Sequence, residues 1–232
     1  MADSFFSRTV GPAVFAAILG ACSTTAPNPV AADFRQSLGF GGVEVAFNDA
    51  RSVPGVYDRA VRRLLDGDEA GLLDREDFDV YLGSRGGAGA EDEHLAERYL
   101  EYRIASELVS TLGANLRGEV PVDVLVNVER VLTPNAATML LVGEIKGVHY
   151  DLDVVSADGA DTVLLDLTEV SKPRVDRSSG GGGGLLGLAI RAGADTNVRD
   201  LEQMVAAVSG EVSGILASDT VNKSVADKIR RP

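Results

Sequence analysis

Between Val122 and Glu129, apolar and polar residues alternate almost one for one. Val122, Val124, Val126 and Val128 face one way, while Asp123, Leu125, Asn127 and Glu129 face the other. This predicts a strand with one buried face and one mostly wet face. Thr133-Pro134-Asn135 predicts a turn. After it, Met139, Leu141 and Ile145 share one parity, but beyond Gly147 the apolar set becomes Val148, Tyr150, Leu152 and Val154. A strand cannot change its buried parity without inserting a residue, so a bulge or bend is expected near Gly147. Asp158-Gly159 supplies a hairpin turn into Thr162–Val170, and VEVAF within Gly41–Asn48 is a shorter strand candidate.

Two longer segments carry the helical period. Glu91–Leu112 opens with crowded acids and repeats Leu95, Tyr99, Tyr102, Val109 and Leu112, with Gly113 placed to cap its end. Val198–Ala217 steps Leu201, Val205, Val208, Val212 and Ile215 by fours and threes, the stripe of a helix packed on a sheet or another helix. Val56–Leu65 reads as a short helix. An acidic connector follows from Asp66 to Asp79, then a Gly-rich break from Gly83 to Gly89. The expected fold is α+β, an antiparallel sheet of about four strands with helices packed on one face.

Composition narrows the function. Hydrophobic residues make up 45% of the 232, enough for a real core in one domain. The net charge of −13 argues against nucleic acid and against lying flat on anionic lipid, since both need clustered Lys and Arg. Only the tail from Lys223 to Arg231 is basic. Aromatic residues are 5% with no Trp, which disfavours a surface that stacks sugars or bases.

The N-terminus holds a polar start with one cation, Arg8, and then an apolar run, Val10–Ala21. That run is too short to span a bilayer, which takes about 20 residues. It ends in Leu19-Gly20-Ala21-Cys22, and Cys22 is the only cysteine. The segment resembles the lipobox of a bacterial lipoprotein signal peptide. The resemblance implies removal of residues 1–21 and lipid attachment at the Cys22 sulfur, with more than one acyl chain and hence permanent anchoring. Residues 22–40, with Pro27 and Pro29 among small polar residues, are expected to be a flexible tether. A single α+β domain then spans 41–217, and 218–232 is a basic C-terminal tail. Ser23 is not the aspartate that retains lipoproteins in the inner membrane of well-studied bacteria. By that analogy the anchor belongs in the outer membrane facing the periplasm, with the inner membrane left open.

Gly118–Leu165 also has a recognisable cadence: GEVPVDVLVNVERVLTP, then VGEIKGVHYDLDVVSADGADTVLL. It resembles a family of small uncharacterised envelope lipoproteins of alphaproteobacteria. Gly143 and Gly147 stand where that pattern pairs glycines, Val148-His149 at its histidine step, and Asp158-Gly159 at its turn. The resemblance covers the central part of the chain and implies structural roles for these positions, with no catalytic signature.

Chemistry-bearing motifs are few. Asp66–Phe78 can be laid on a calcium loop, with Asp66, Asp68 and Asp74 at positions one, three and nine, Gly71 at the turn and Asp77 closing. Ala70 cannot supply the fifth-position ligand, and Asp77 is shorter than the usual bidentate Glu, so a solvated acidic turn is the preferred reading and no metal is assigned. His94 and His149 are the only histidines and have no second histidine at ligand spacing, so zinc is not expected. His149, Asp151 and Asp153 share the wet side of their strand. Gly180–Gly184 lacks the Gly-Lys-Ser/Thr of a phosphate loop. With Leu185–Ile190 it forms either a mobile apolar flap or, preferred, a connection whose leucines tuck into the core. No nucleophile elbow, Ser-Lys pair or Cys-His arrangement is present. The expectation is a periplasmic lipoprotein, not an enzyme and without a cofactor. It is expected to be held at the membrane by Cys22 and to bind or assemble with an envelope protein. The alternative is a carrier of a lipid-like apolar ligand, with Gly180–Ile190 as its flap.

Overall fold

The computed structural model describes residues 25–48, 53–66, 74–85, 94–132, 147–158, 162–172 and 196–229. Six strands and six helices lie among the described residues, in the order β1 (Thr25–Pro27), α1 (Ala32–Ser37), β2 (Leu38–Phe47), α2 (Val56–Asp66), α3 (Arg75–Ser84), α4 (Leu95–Asn115), β3 (Val120–Leu132), β4 (Gly147–Ser156), β5 (Val163–Lys172), α5 (Thr196–Ala217), β6 (Thr220–Asn222) and α6 (Lys223–Ile229). The fold is α+β. Its main sheet has the order β2-β3-β4-β5, and β1 and β6 form a separate antiparallel pair.

The alternating patterns set the faces of the sheet. Val122, Val124, Val126 and Val128 of β3 and Tyr150, Leu152 and Val154 of β4 are fully buried, with Val148 nearly so. They meet Val45 of β2 on one side and Val170 of β5 on the other, through the registers Val45↔Val126 and Tyr150↔Val170. The hairpin after Asp158 is present: β4 and β5 pair antiparallel, and the Ser156 N–H donates to Thr162 O at 2.9 Å. The turn at Thr133–Asn135, the strand from Met139 and the parity switch before Gly147 lie outside the described residues. Among the described residues, register shifts occur at Phe40/Gly42, Val128/Arg130, Tyr150/Leu152 and Val154/Val155.

The sheet is mixed, not antiparallel throughout. β2 runs parallel to β3. A parallel pair needs a crossover connection, and α2, α3 and α4 provide it. Helix α4 packs on β2 and on α5, and α5 also reaches β4. Being gripped from two sides widens the buried face of α4 to Leu95, Ala96, Tyr99, Leu100, Ile104, Leu108 and Leu112. Val109 is therefore exposed and Tyr102 only half-buried, unlike the expected stripe. Gly113 lies inside the helix, which continues to a C-cap at Leu116, and a Cβ there would only touch the Phe40 ring at ordinary contact distance. The stripe expected on α5 holds: Leu201, Val205, Val208, Val212 and Ile215 are all buried.

The expected tether over 22–40 and tail over 218–232 are corrected by the fold where they are described, over 25–40 and 218–229. Residues 25–40 form β1, α1 and the start of β2, and β1 pairs with β6 through Thr25↔Asn222, Ala26↔Val221 and Pro27↔Thr220. The Asn28 amide donates to Ile215 O and Ser218 O, each at 2.8 Å, capping carbonyls at the end of α5 that no helical N–H can reach. Arg35, buried, donates to Val30 O at 3.1 Å, to Ser218 O, and to the Asp219 carboxylate at 3.0 Å. In the tail, Val225 and Ala226 of α6 are buried. Helix α3 falls within the segment expected to be a connector and a Gly-rich break. Asp74 caps it by accepting from the Asp77 N–H at 3.2 Å, and Phe78 and Leu82, one turn apart, bury its inner edge.

Candidate functional site

The sheet has two faces of opposite character. One carries the buried set and the helices. The other shows, by register, Glu44 beside Leu125, Leu125 beside Asp153, and Asp153 beside Asp166. Asn127 stands opposite Asp151 in the next rung. Leu125, Asn127, Asp151 and Asp153 are half-buried, while Glu44, Glu129 and Asp166 are exposed. Side chains under a packed layer would be buried like those of the inner face, so among the described residues this face is open. Arg130, opposite His149 near one end, is its described cation.

Asp153 and Asp166 stand directly across a ladder, an arrangement that like charges disfavour. Partial desolvation, then Asp166 and Asp151, push the Asp153 carboxyl above its ordinary value. An acid whose folded pKa is raised loses stability as pH climbs through the carboxylate range. Asp153→Asn is therefore expected to stabilise the fold at pH 7 by about 0.5 kcal/mol, with the gain fading toward pH 4. Urea titrations at the two pH values check this.

The residues singled out in sequence are scattered. Cys22 and Gly180–Ile190 lie outside the described residues, as do 67–73 of the acidic loop. Asp66 ends α2, Asp74 is the cap of α3, and Asp77 sits in its first turn, where a carboxylate suits the helix dipole. Arg75 closes the junction by donating to Leu65 O at 2.9 Å. Asp74 and Asp77 thus serve the start of α3, so millimolar calcium is expected to leave the melting temperature unchanged. A rise on adding calcium, reversed by chelator, would restore the metal reading. His94 precedes α4, with Nδ1 3.9 Å from Glu97 Oε2, whereas His149 is on the open face of β4, so the sheet separates the two histidines.

What sequence reasoning missed is a set of buried carboxylates joined to tyrosines. Glu202 of α5 accepts from the Tyr99 hydroxyl at 2.6 Å and takes both arms of Arg103, at 3.0 and 2.8 Å. Glu211 accepts from Tyr150 at 3.2 Å, tying α5 to the sheet. Glu101 accepts from Tyr81 at 2.8 Å and from Arg98 at 3.0 Å. At the start of α4, Asp58 accepts from the Ala96 N–H at 2.9 Å. Burial, with Asp58 and Glu101 nearby, raises the Glu97 carboxyl against the opposing pull of His94 and a Val53 backbone hydrogen bond. Burial, then the adjoining carboxylate, pushes the Tyr99 and Tyr150 hydroxyls well above their ordinary value, and Tyr81 up to about 12.

Phenols held protonated in the fold lower its stability once pH exceeds their unfolded value, about 10. An absorbance titration is expected to show Tyr81, Tyr99 and Tyr150 ionising only together with unfolding, above pH 11. Ionisation of all 5 tyrosines near pH 10 with the helical signal intact would contradict this.

The chain matches no family model, no curated protein and no solved structure. A shallow open cleft by Arg75, Glu76, Asp79 and Val80 lies on α3.

Proposed function

We propose that the chain is a lipid-anchored, non-catalytic binding or assembly component of the bacterial cell envelope. Cys22 holds it at the outer membrane facing the periplasm, and the open sheet face engages an envelope protein. The observation that carries the binding role is that face: a half-buried row of Leu125, Asn127, Asp151 and Asp153 bordered by Glu44 and Asp166. Crowded like charges cost stability, and a sequence keeps such local conflicts where a partner relieves them. The relieving partner is a cationic protein surface, since a second copy of the same face or an anionic surface would add to the repulsion. The titratable groups that the fold gathers inside, Tyr99–Arg103–Glu202 and Tyr150–Glu211, bond to one another, which suits pinning and not turnover.

The lipid-carrier reading has less support. Tyr99, Tyr150, Phe78, Leu100, Leu108 and Leu152 fill the core with at most 1% exposure.

A photo-crosslinking residue at Leu125 of the full chain, activated in cells, tests the binding role. The expected product is a single heteromeric adduct whose crosslinked peptide is rich in Lys and Arg, and which is lost in Asp153→Lys/Asp166→Lys. No adduct, or one joining two copies of the chain, would contradict it.

A further inference from the structure

The first described strand lies close in sequence to the proposed lipid anchor. Thr25 stands opposite Asn222 in the β1–β6 pair, and Asn222 immediately precedes α6. Cys22 is three residues before Thr25, and three residues of fully extended chain reach about 10 Å. Paired Cα atoms are about 5 Å apart, so Asn222, one residue before α6, lies within roughly 15 Å of Cys22. The Asn28 amide on Ile215 O and Ser218 O, and Arg35 on Asp219, fix this end to the body.

That short reach makes charge decisive. The chain carries −13 overall, and the Debye length at physiological salt is about 8–10 Å. A body held so near anionic headgroups is repelled unless its near end is cationic. Helix α6 places Lys223, exposed, and Lys228 at that end, and Arg230 and Arg231 follow in the sequence. Asp227 is the acid of α6, and Asp219, just before β6, is ion-paired with Arg35 at 3.0 Å. Val225 and Ala226 are buried against the body, so the helix moves with it. The basic C-terminal stretch of an acidic chain thus lies near the residue read as lipidated.

We infer that the domain sits on the membrane by its β1–β6 and α6 end, with the α6 cations on anionic lipid headgroups. A basic patch adding to a lipid anchor is the second signal that fixes orientation at a surface. The inference rests on the lipid reading of Cys22.

The test uses the full lipidated chain in vesicles of phosphatidylglycerol and phosphatidylcholine, or of phosphatidylcholine alone. With the Cys22 sulfur lipidated, a fluorophore on Ser224→Cys or Val80→Cys labels a single thiol. Val80 is on α3, whose Phe78 packs on Tyr99 beside Glu202. Thirteen helical residues separate Glu202 from Ile215, about 20 Å, so Val80 reports the far end. A headgroup-bound quencher is expected to quench the label at 224 severalfold more than the label at 80 in anionic vesicles. The difference should shrink in Lys223→Glu/Lys228→Glu and at 1 M salt. A chain that does not float with vesicles overturns the lipid reading and the inference together. A chain that floats with equal quenching at both labels, or with quenching indifferent to lipid charge, overturns the inference alone.

Discussion

Replacing Glu202 with alanine is expected to cost about 3–5 kcal/mol, the largest effect of any single change considered. The substitution strips the acceptor from the Tyr99 hydroxyl, which is fully buried, and leaves the Arg103 guanidinium without its bidentate partner at a side chain only 18% exposed. An uncompensated buried charge and an orphaned donor act together, which is why the loss exceeds that of an ordinary hydrogen bond. Tyr99→Phe, which keeps the charge pair and leaves one acceptor lone pair open, should cost only about 1 kcal/mol. Arg103→Met/Glu202→Met, removing both charges, should recover most of the loss. Urea denaturation followed by circular dichroism reads all three, and a loss below about 1 kcal/mol for Glu202→Ala would show that the network does not join α4 to α5.

The second large effect is expected from Gly118→Ala. A Cβ at 118 would overlap Ser37 O and lie 2.6 Å from Leu38 N, both backbone atoms with no side chain to swing aside. The Gly118 N–H meanwhile donates to Leu38 O at 2.8 Å, so the close approach is part of how β2 enters beside β3. Overpacking of this kind costs about 1–3 kcal/mol, and more where backbone must move. Ala at Gly83, whose Cβ would meet nothing within 4 Å, is the control that should hold its melting temperature. Equal stability of the two variants would mean that the strand entry is looser than described.

The parts of the fold that were legible in sequence are those set by local periodicity. The valines of β3 and the α5 stripe could be read because each buries one fixed face, and period alone names that face. Tyr102 and Val109 were misread because α4 is held by both β2 and α5, so its buried arc does not follow a single narrow stripe. The direction of β2 depends on a three-helix crossover, and α3 within it hides behind acids and shows only two apolar anchors, Phe78 and Leu82.

Long-range partners were the other blind spot. Thr25–Pro27 looks like a linker by composition, yet its partner strand is at the far end of the chain. Glu202 looks like a solvent-facing charge, but the groups that bury it are 99 and 103 residues away. The acids of the open sheet face were visible as a wet strand side. What the sequence did not display was that β5 sets Asp166 against Asp153, turning a wet face into a crowded one.

Folding of residues 25–40 also changes what the anchor means. A long tether would let the body sample a wide volume, whereas β1 begins three residues after Cys22 and is paired with β6. Orientation and binding both then hinge on the chemistry at that sulfur. Metabolic labelling with a radioactive fatty acid, comparing the chain with its Cys22→Ser variant, tests this most directly. The account predicts label and membrane association for the chain, with residues 1–21 removed, and neither label nor processing for the variant. An unlabelled, uncut chain in the soluble fraction would contradict it.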